Sequence, residues 1–272
     1  MSPRAEVLGC GIDRLDLEGT LSEIERAIAT RRFTQHMAIN AAKLVAMQDD
    51  PELRRIVDGC RLVNADGQGV VWASWLLGDP LPERVAGIDL MHALLALAER
   101  REYRVYFFGA RPDVLERALE RIRRDHPKLQ IAGARDGYVS REEEAAVSAE
   151  IRASRPDIVF VAISSPRKEY FLGEHGPTLG APFVMGVGGA IDVVAGVTRR
   201  APVLWQRLGL EWLFRLLQEP RRMFRRYAVS NARFAYLMGW ALLTAPERTP
   251  GPTQLRGAVF PPPHQAPSTQ PK

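Results

Sequence analysis

Asp157-Ile158-Val159-Phe160-Val161-Ala162-Ile163-Ser164-Ser165-Pro166-Arg167-Lys168-Glu169 passes from an unbroken apolar run straight into a polar turn and a charged helix start. An apolar run of this length without alternation fits a strand covered on both faces, as in a parallel sheet. Pro166 then stands near the first turn of the helix expected over Arg167–Glu174. Working outward, the same texture recurs. It predicts strands near Met37–Ile39, Arg61–Asn64, Val105–Phe108, Gln130–Gly133, Ile158–Ile163 and Phe183–Val187. Helices are expected at Ala41–Met47, Pro51–Val57, Gly69–Leu77, Leu90–Arg100, Pro112–Arg124 and Arg141–Ala153. Asp89 and Ser140 read as start signals, the latter in a capping-box pattern with Glu143. Repeated strand–helix alternation implies an α/β fold with a mostly parallel, Rossmann-like sheet and helices on both faces. Such sheets bind ligands beyond the C-terminal ends of their strands.

The texture changes at Arg199. Leu204–Gln218 and Arg221–Trp240 read as two helices parted at Pro220, with arginine interleaved among aliphatic and aromatic residues. The expected organisation is an α/β core over 1–198, a helical appendage over 199–245 and a Pro-rich, unstructured tail over 246–272.

Charge follows the same division. The chain carries a net +5, yet residues 199–233 hold nine arginines against Glu211 and Glu219, while residues 1–198 are net negative. Compositional bias explains arginine over lysine, which occurs only at 43, 128, 168 and 272, but does not explain the clustering. An anionic ligand or an anionic membrane surface would. Nucleic acid is a third reading, but no recognised nucleic-acid motif accompanies the cluster. With 46% hydrophobic and 25% charged residues, the chain has the composition of a globular protein. Two cysteines and five scattered histidines argue against a disulfide scaffold, a zinc cage or any metal site. No export signal is evident near Met1–Leu15, and the best apolar run, from Phe234 to Ala245, is too short to cross a bilayer. The cytoplasm is the expected compartment.

Four strand-end loops carry more than a turn needs. Asn40 ends the first. Asp66-Gly67-Gln68-Gly69 forms the second, where the carboxylate can face the crevice as a general base or act as an ordinary Asp-Gly turn or helix cap. The third holds Lys168 and Glu169, suited to an anionic or hydroxyl-rich ligand or to a solvated first helical turn. The fourth, Gly186-Val187-Gly188-Gly189-Ala190-Ile191-Asp192, lets a ligand approach the backbone before a helix N-terminus, although it lacks the dinucleotide and phosphate-loop spacings. Arg84, in a proline-stiffened loop, suits a diphosphate. Trp72 and Trp75 read as core or interface residues.

In this order, these segments resemble the WecG/TagA/CpsF glycosyltransferases, glycosyltransferase family 26. The likeness runs from about Met37 to Arg226 through Ala65-Asp66-Gly67-Gln68-Gly69, Leu81-Pro82-Glu83-Arg84-Val85-Ala86-Gly87-Ile88-Asp89, Ser165-Pro166 with Glu169, Val187-Gly188-Gly189-Ala190-Ile191-Asp192, Arg200-Ala201-Pro202 and Gly209-Leu210-Glu211-Trp212. The resemblance implies inverting transfer from a UDP-sugar to a polyprenyl-diphosphate-linked saccharide, at the inner face of the bacterial cytoplasmic membrane, for a cell-surface polysaccharide. It implies that Asp66 is the base, that Asn40 and Gln68 contact substrate, and that Arg84 stabilises the departing UDP. It also implies that Gly188, Gly189 and Asp192 border the nucleotide. No Asp-x-Asp pair occurs in the chain, so no metal or other cofactor is expected, and Arg215, Arg222 and Arg225 from the appendage would supply the compensating charge. The same appendage would lie on the membrane as a peripheral contact. Subunit contacts in a homo-oligomer would fall at Trp72, Trp75 and the appendage. Two positions depart from the family pattern: Ala38 replaces a common Thr and Lys168 a common Gln. They leave the donor sugar open, with Lys168 reading either a uronate or the diphosphate. They also leave open a catalytically altered member, or a non-enzymatic, membrane-associated nucleotide-sugar-binding protein.

Overall fold

The computed structural model describes residues 3–244, apart from the side chains of residues 207, 221–223, 225 and 226. The expected tail over 246–272 therefore lies outside the described residues.

All six strands expected from the apolar runs form, and all pair in parallel. They are β3 (Thr34–Ile39), β4 (Leu62–Ala65), β5 (Arg104–Gly109), β6 (Gln130–Arg135), β7 (Ile158–Ala162) and β8 (Phe183–Gly186), in the order β4-β3-β8-β7-β5-β6. An N-terminal ribbon, β1 (Arg4–Val7) antiparallel to β2 (Cys10–Asp13), and the helix α1 (Leu17–Ala29) were not anticipated. The ribbon's strands are only four residues long, too short for a periodicity to register. Asp13 joins the ribbon to the sheet, accepting from the Val63 amide at 2.8 Å.

Side-chain alternation explains the two covered faces. On one face Val105, Phe107, Phe160, Phe183 and Met185 pack against α5 (Gly87–Arg101), α6 (Pro112–Asp125) and α9 (Ala190–Val194). Tyr106, Phe108, Val159, Val161 and Val184 pack on the other face against α7 (Glu144–Ala153) and α8 (Arg167–His175). Met37, Ile39, Val63 and Ala65 meet α2 (Ala41–Asp49), α3 (Pro51–Gly59) and α4 (Gln68–Leu76). Each fully buried Phe contributes roughly 2–3 kcal/mol.

Several boundaries differ from expectation. Asp89 does not cap α5, which starts two residues earlier behind Ala86 and leaves Asp89 in the first turn. Ser140 makes half of a capping box, its amide donating to Glu143 at 2.7 Å, but α7 begins only at Glu144. The single helix expected over Leu204–Gln218 is two, α10 (Val203–Arg207) and α11 (Glu211–Gln218). Gly209, at φ +66°, takes the left-handed position, and the Leu210 and Gly209 amides bond back to Trp205 and Gln206 in a Schellman-type stop. Pro220 opens α12 (Pro220–Thr244). That helix lies along α2, with Met238 buried and Arg233 paired to Asp49. Trp72 and Trp75 are not core residues but stand about half exposed on α4.

Gly109 ends β5 at φ +116°, and a Cβ there would lie 2.5 Å from the Ala162 carbonyl carbon on β7. Gly109→Ala should therefore cost about 2–5 kcal/mol, combining backbone strain with overpacking. A urea titration of the two proteins checks this; an unchanged midpoint would refute it.

Candidate active site

The four loops singled out in the sequence follow β4, β3, β8 and β7, which are consecutive in the sheet. Because these strands are parallel, their loops leave the same edge, and Asp66, Asn40, the glycine loop and Lys168–Glu169 are gathered there.

Asp66 is half-buried and held from two sides. Its amide donates to the Ile39 carbonyl at 2.8 Å, tying the β4 turn to β3. Its Oδ1 accepts from the Gly87 amide at 2.8 Å, at the N-terminus of α5. That bond fixes the carboxylate orientation. The Val85 amide donates to the Ala65 carbonyl, so the loop carrying Arg84 runs alongside the Asp66 turn. Asn40 stands next to this turn, where a Cβ on Gly67 would lie 3.4 Å from its own Cβ. Its Oδ1 caps α2 by accepting from the Lys43 amide at 3.0 Å, which fixes the side chain beside the Asp66 turn.

Beside these residues lies a buried charge cluster. Glu169 is 1% exposed, with Lys43 Nζ at 2.8 Å and Lys168 Nζ at 3.4 Å. Burial alone would raise the Glu169 carboxyl, but Lys43 and Lys168 more than reverse this and hold it at about 2. Burial lowers the Lys168 ammonium, and Lys43 lowers it further against the opposite pull of Glu169 and Asp66. Lys168 is thus internally paired, not an open solvated cation. Its stem lies under the glycine loop: a Cβ on Gly186 would come within 2.8 Å of Lys168 Cε, and one on Gly188 within 3.2 Å of Nζ. Gly188 itself is at φ +48°.

Arg215 also reaches that loop. Its guanidinium nitrogens lie 3.4 Å from where a Cβ on Gly189 would sit, and Asp192 Oδ2 lies 3.5 Å from the same point. The structure therefore brings Gly188, Gly189, Asp192 and Arg215 together. Arg84 donates to Glu211 on α11, and Arg200 grips Asp89 with two nitrogens at 2.6 Å each. Gln68, the first residue of α4, meets the α10–α11 turn, where a Cβ on Gly209 would lie 2.9 Å from its own Cβ. The side chains of Arg222 and Arg225 lie outside the described residues.

Sequence reasoning gave no role to Lys43, Arg200 or Glu211. Lys43 was visible only as one of four lysines, one turn beyond Asn40. His36, set aside in the sequence, is a core residue. Burial pushes its imidazole down to about 4, and its Nε2 pairs at 3.1 Å with Asn64 Oδ1, whose amide donates to Thr20. Among the described residues, no three His, Cys, Asp or Glu side chains converge on a common metal position. A cavity of about 80 Å³ opens at the opposite edge of the sheet, where β3 and β4 begin, lined by Asp13, Glu23, Arg26, Arg32, Thr34 and Arg61.

Comparison with known proteins points to one chemistry. The model of the glycosyl transferase WecG/TagA/CpsF family matches residues 5–248, a span that takes in all of the ribbon but Arg4 and all three C-terminal helices. An N-acetylglucosaminyldiphosphoundecaprenol N-acetyl-beta-D-mannosaminyltransferase of Bacillus spizizenii is 40% identical over 184 residues, covering 68% of this chain and 70% of the relative.

Replacing Glu169 by Gln would leave the mostly covered Lys43 and Lys168 ammonium groups without their counter-charge and should cost about 3–5 kcal/mol by urea unfolding at neutral pH. The pH dependence has a definite sign. A carboxyl lowered in the fold gives stability that is complete above its ordinary value of 4.5 and is lost as pH falls toward about 2. Over that window the wild type should lose stability more steeply than Glu169→Gln; parallel curves would refute the assignment.

Proposed function

The chain belongs to the WecG/TagA/CpsF glycosyltransferase family, and on that footing we propose that it moves a sugar from a UDP-sugar to a polyprenyl-diphosphate-linked saccharide, with inversion, in cell-surface polysaccharide synthesis. The observation that carries the reading is Asp66, a carboxylate oriented by the Gly87 amide at the edge where four loops converge. Asp66 Oδ2 takes the proton of the acceptor hydroxyl as its oxygen attacks the anomeric carbon. The bond from that carbon to the diphosphate oxygen breaks, and UDP leaves with the electron pair.

Charge grows on the diphosphate as this bond breaks, and preorganised cations answer it. Arg84 beside the Asp66 turn and Arg215 against the glycine loop are the groups we assign to it, with Gly188, Gly189 and Asp192 bordering the nucleotide. Asn40 and Gln68 would contact substrate. Arginine supplies the electrostatics here without a metal. The acceptor is of the class named for the Bacillus relative, which makes a lipid-linked N-acetylglucosamine the first acceptor to try and UDP-N-acetylmannosamine the first donor.

A lipid-linked acceptor calls for a surface that meets the membrane. Among the described residues no helix is long and apolar enough to cross one. Leu76 on α4, Leu217 on α11, and Phe224, Tyr236, Trp240 and Leu243 on α12 are exposed, and with the neighbouring arginines they suit peripheral contact with the inner face of the cytoplasmic membrane.

A panel of UDP-sugars offered with a synthetic polyprenyl-diphosphate glycan, with products identified by mass, tests the activity. Asp66→Asn should lower turnover ~10²–10⁴-fold, and Gly87→Pro should lower it while leaving the fold intact, because proline suits the first helical position but has no amide to orient Asp66. Near-normal turnover by Asp66→Asn would end the proposal. Lys168, paired internally and lying under the glycine loop, is assigned to the diphosphate. Lys168→Gln should accordingly weaken UDP-hexose and UDP-hexuronate alike, by about 10–100-fold in kcat/KM. A loss confined to the hexuronate would instead make Lys168 a reader of the sugar carboxylate.

A further inference from the structure

α11 joins the rest of the protein in an unusual way. None of its eight residues is fully buried, and its apolar Leu213, Phe214 and Leu216 are only partly covered. Its aromatic contacts stay within the C-terminal segment: Phe214 packs edge-on against Trp205 of α10 at 5.7 Å, and Trp212 against Tyr227 of α12 at 6.1 Å. Its hydrogen bonds to residues before α10 sit at its two ends. At the C-terminal end Gln218 exchanges hydrogen bonds with the Arg199 backbone at 3.0 and 3.1 Å. At the N-terminal end Glu211 Oε2 accepts from Arg84, and Glu211 Oε1 lies 3.8 Å from Arg200 Nε.

Arg200 in turn holds Asp89 in the first turn of α5. Four side chains of alternating sign, Asp89, Arg200, Glu211 and Arg84, thus link α5, the segment after α9, α11 and the loop beside the Asp66 turn. Glu211 and Arg84 are 28% and 14% exposed, so their attraction is screened less than that of a surface pair. Arg215 stands four residues after Glu211, one helical turn along the same face. With Glu211 fixed, the Arg215 guanidinium falls against Gly189 beside Asp192.

We infer that Glu211 is a positioning residue: by pairing with Arg84 and Arg200 it fixes the first turn of α11 and so sets Arg215 over the glycine loop. The inference rests on the proposed reaction for its consequence, since Arg215 matters there as a cation on the diphosphate, but the docking itself can be read without turnover. An anchor acting through Arg215 must lose its effect once Arg215 is gone, whereas an independent structural contribution would multiply with it.

The experiment compares the full-length wild type with Glu211→Gln, Arg215→Ala and the double variant. Glu211→Gln keeps the side-chain shape and removes the charge, and circular dichroism verifies that each protein is folded. Amide exchange over residues 211–216 should quicken about tenfold in Glu211→Gln, while the central strands keep their protection. Turnover, measured with the donor that the panel identifies, should fall about tenfold in each single variant, and the double variant should be no worse than Arg215→Ala. Unchanged exchange in α11, or single losses that multiply in the double variant, would overturn the role. If the wild type transfers no sugar from any donor, the proposed function falls instead, and the exchange measurement still decides whether Glu211 docks the helix.

Discussion

A parallel strand delivers its following loop to one edge of the sheet only, and everything at this site depends on that restriction. β3 and β4 come early in the chain, β7 and β8 late, yet β8 pairs directly with β3. This one pairing brings the Asn40 and Asp66 turns beside the glycine loop and the Lys168–Glu169 turn. Parallel pairing is sustained by burial on both faces, so the apolar residues of β5, β7 and β8 are as much a condition for the site as the polar residues that fill it.

Within that frame the charges are arranged by neighbours more than by solvent. Glu169 stays ionised in a buried position because two ammonium groups face it, and Lys168 is drawn inward by the same contact. Asp66 is oriented by a backbone amide, which cannot itself titrate. Arg84 and Arg200 are balanced by Glu211 and Asp89, giving an interleaved set of charges in place of a bare cationic patch. Such balance keeps guanidinium groups in place at a partly buried position, where uncompensated charges would repel each other.

The C-terminal helices are held differently from the sheet. α12 shares a buried contact with the α2 side of the core through Met238 and Phe234, whereas α10 and α11 rest on the Gly209 turn and on polar ties. An element with little buried apolar area can still be placed well if a few charged contacts fix its ends. It also leaves apolar side chains such as Leu204, Leu208 and Leu217 exposed.

The α/β class, the six parallel strands and the four loops could be read directly from the chain, because a strand buried on both faces leaves an unbroken apolar run and a functional turn leaves glycine and charge where a plain turn needs neither. The family likeness rested on the same residues. The ribbon and α1 were not legible, since two four-residue strands carry no period, and neither was the break at Gly209, where one glycine in an amphipathic stretch reads as tolerated until its φ is known. Strand order was also beyond the sequence. Nothing in β3 or β8 alone states that they pair, because a two-sided apolar strand accepts any similar neighbour. The partners of Glu169 and Arg84 were therefore hidden too: Lys43 and Glu211 lie 126 and 127 residues from the groups they bind. Residue type set the chemistry each side chain could offer, but only the folded chain decided which charges meet, because Coulombic pairing depends on distance in space, not along the sequence.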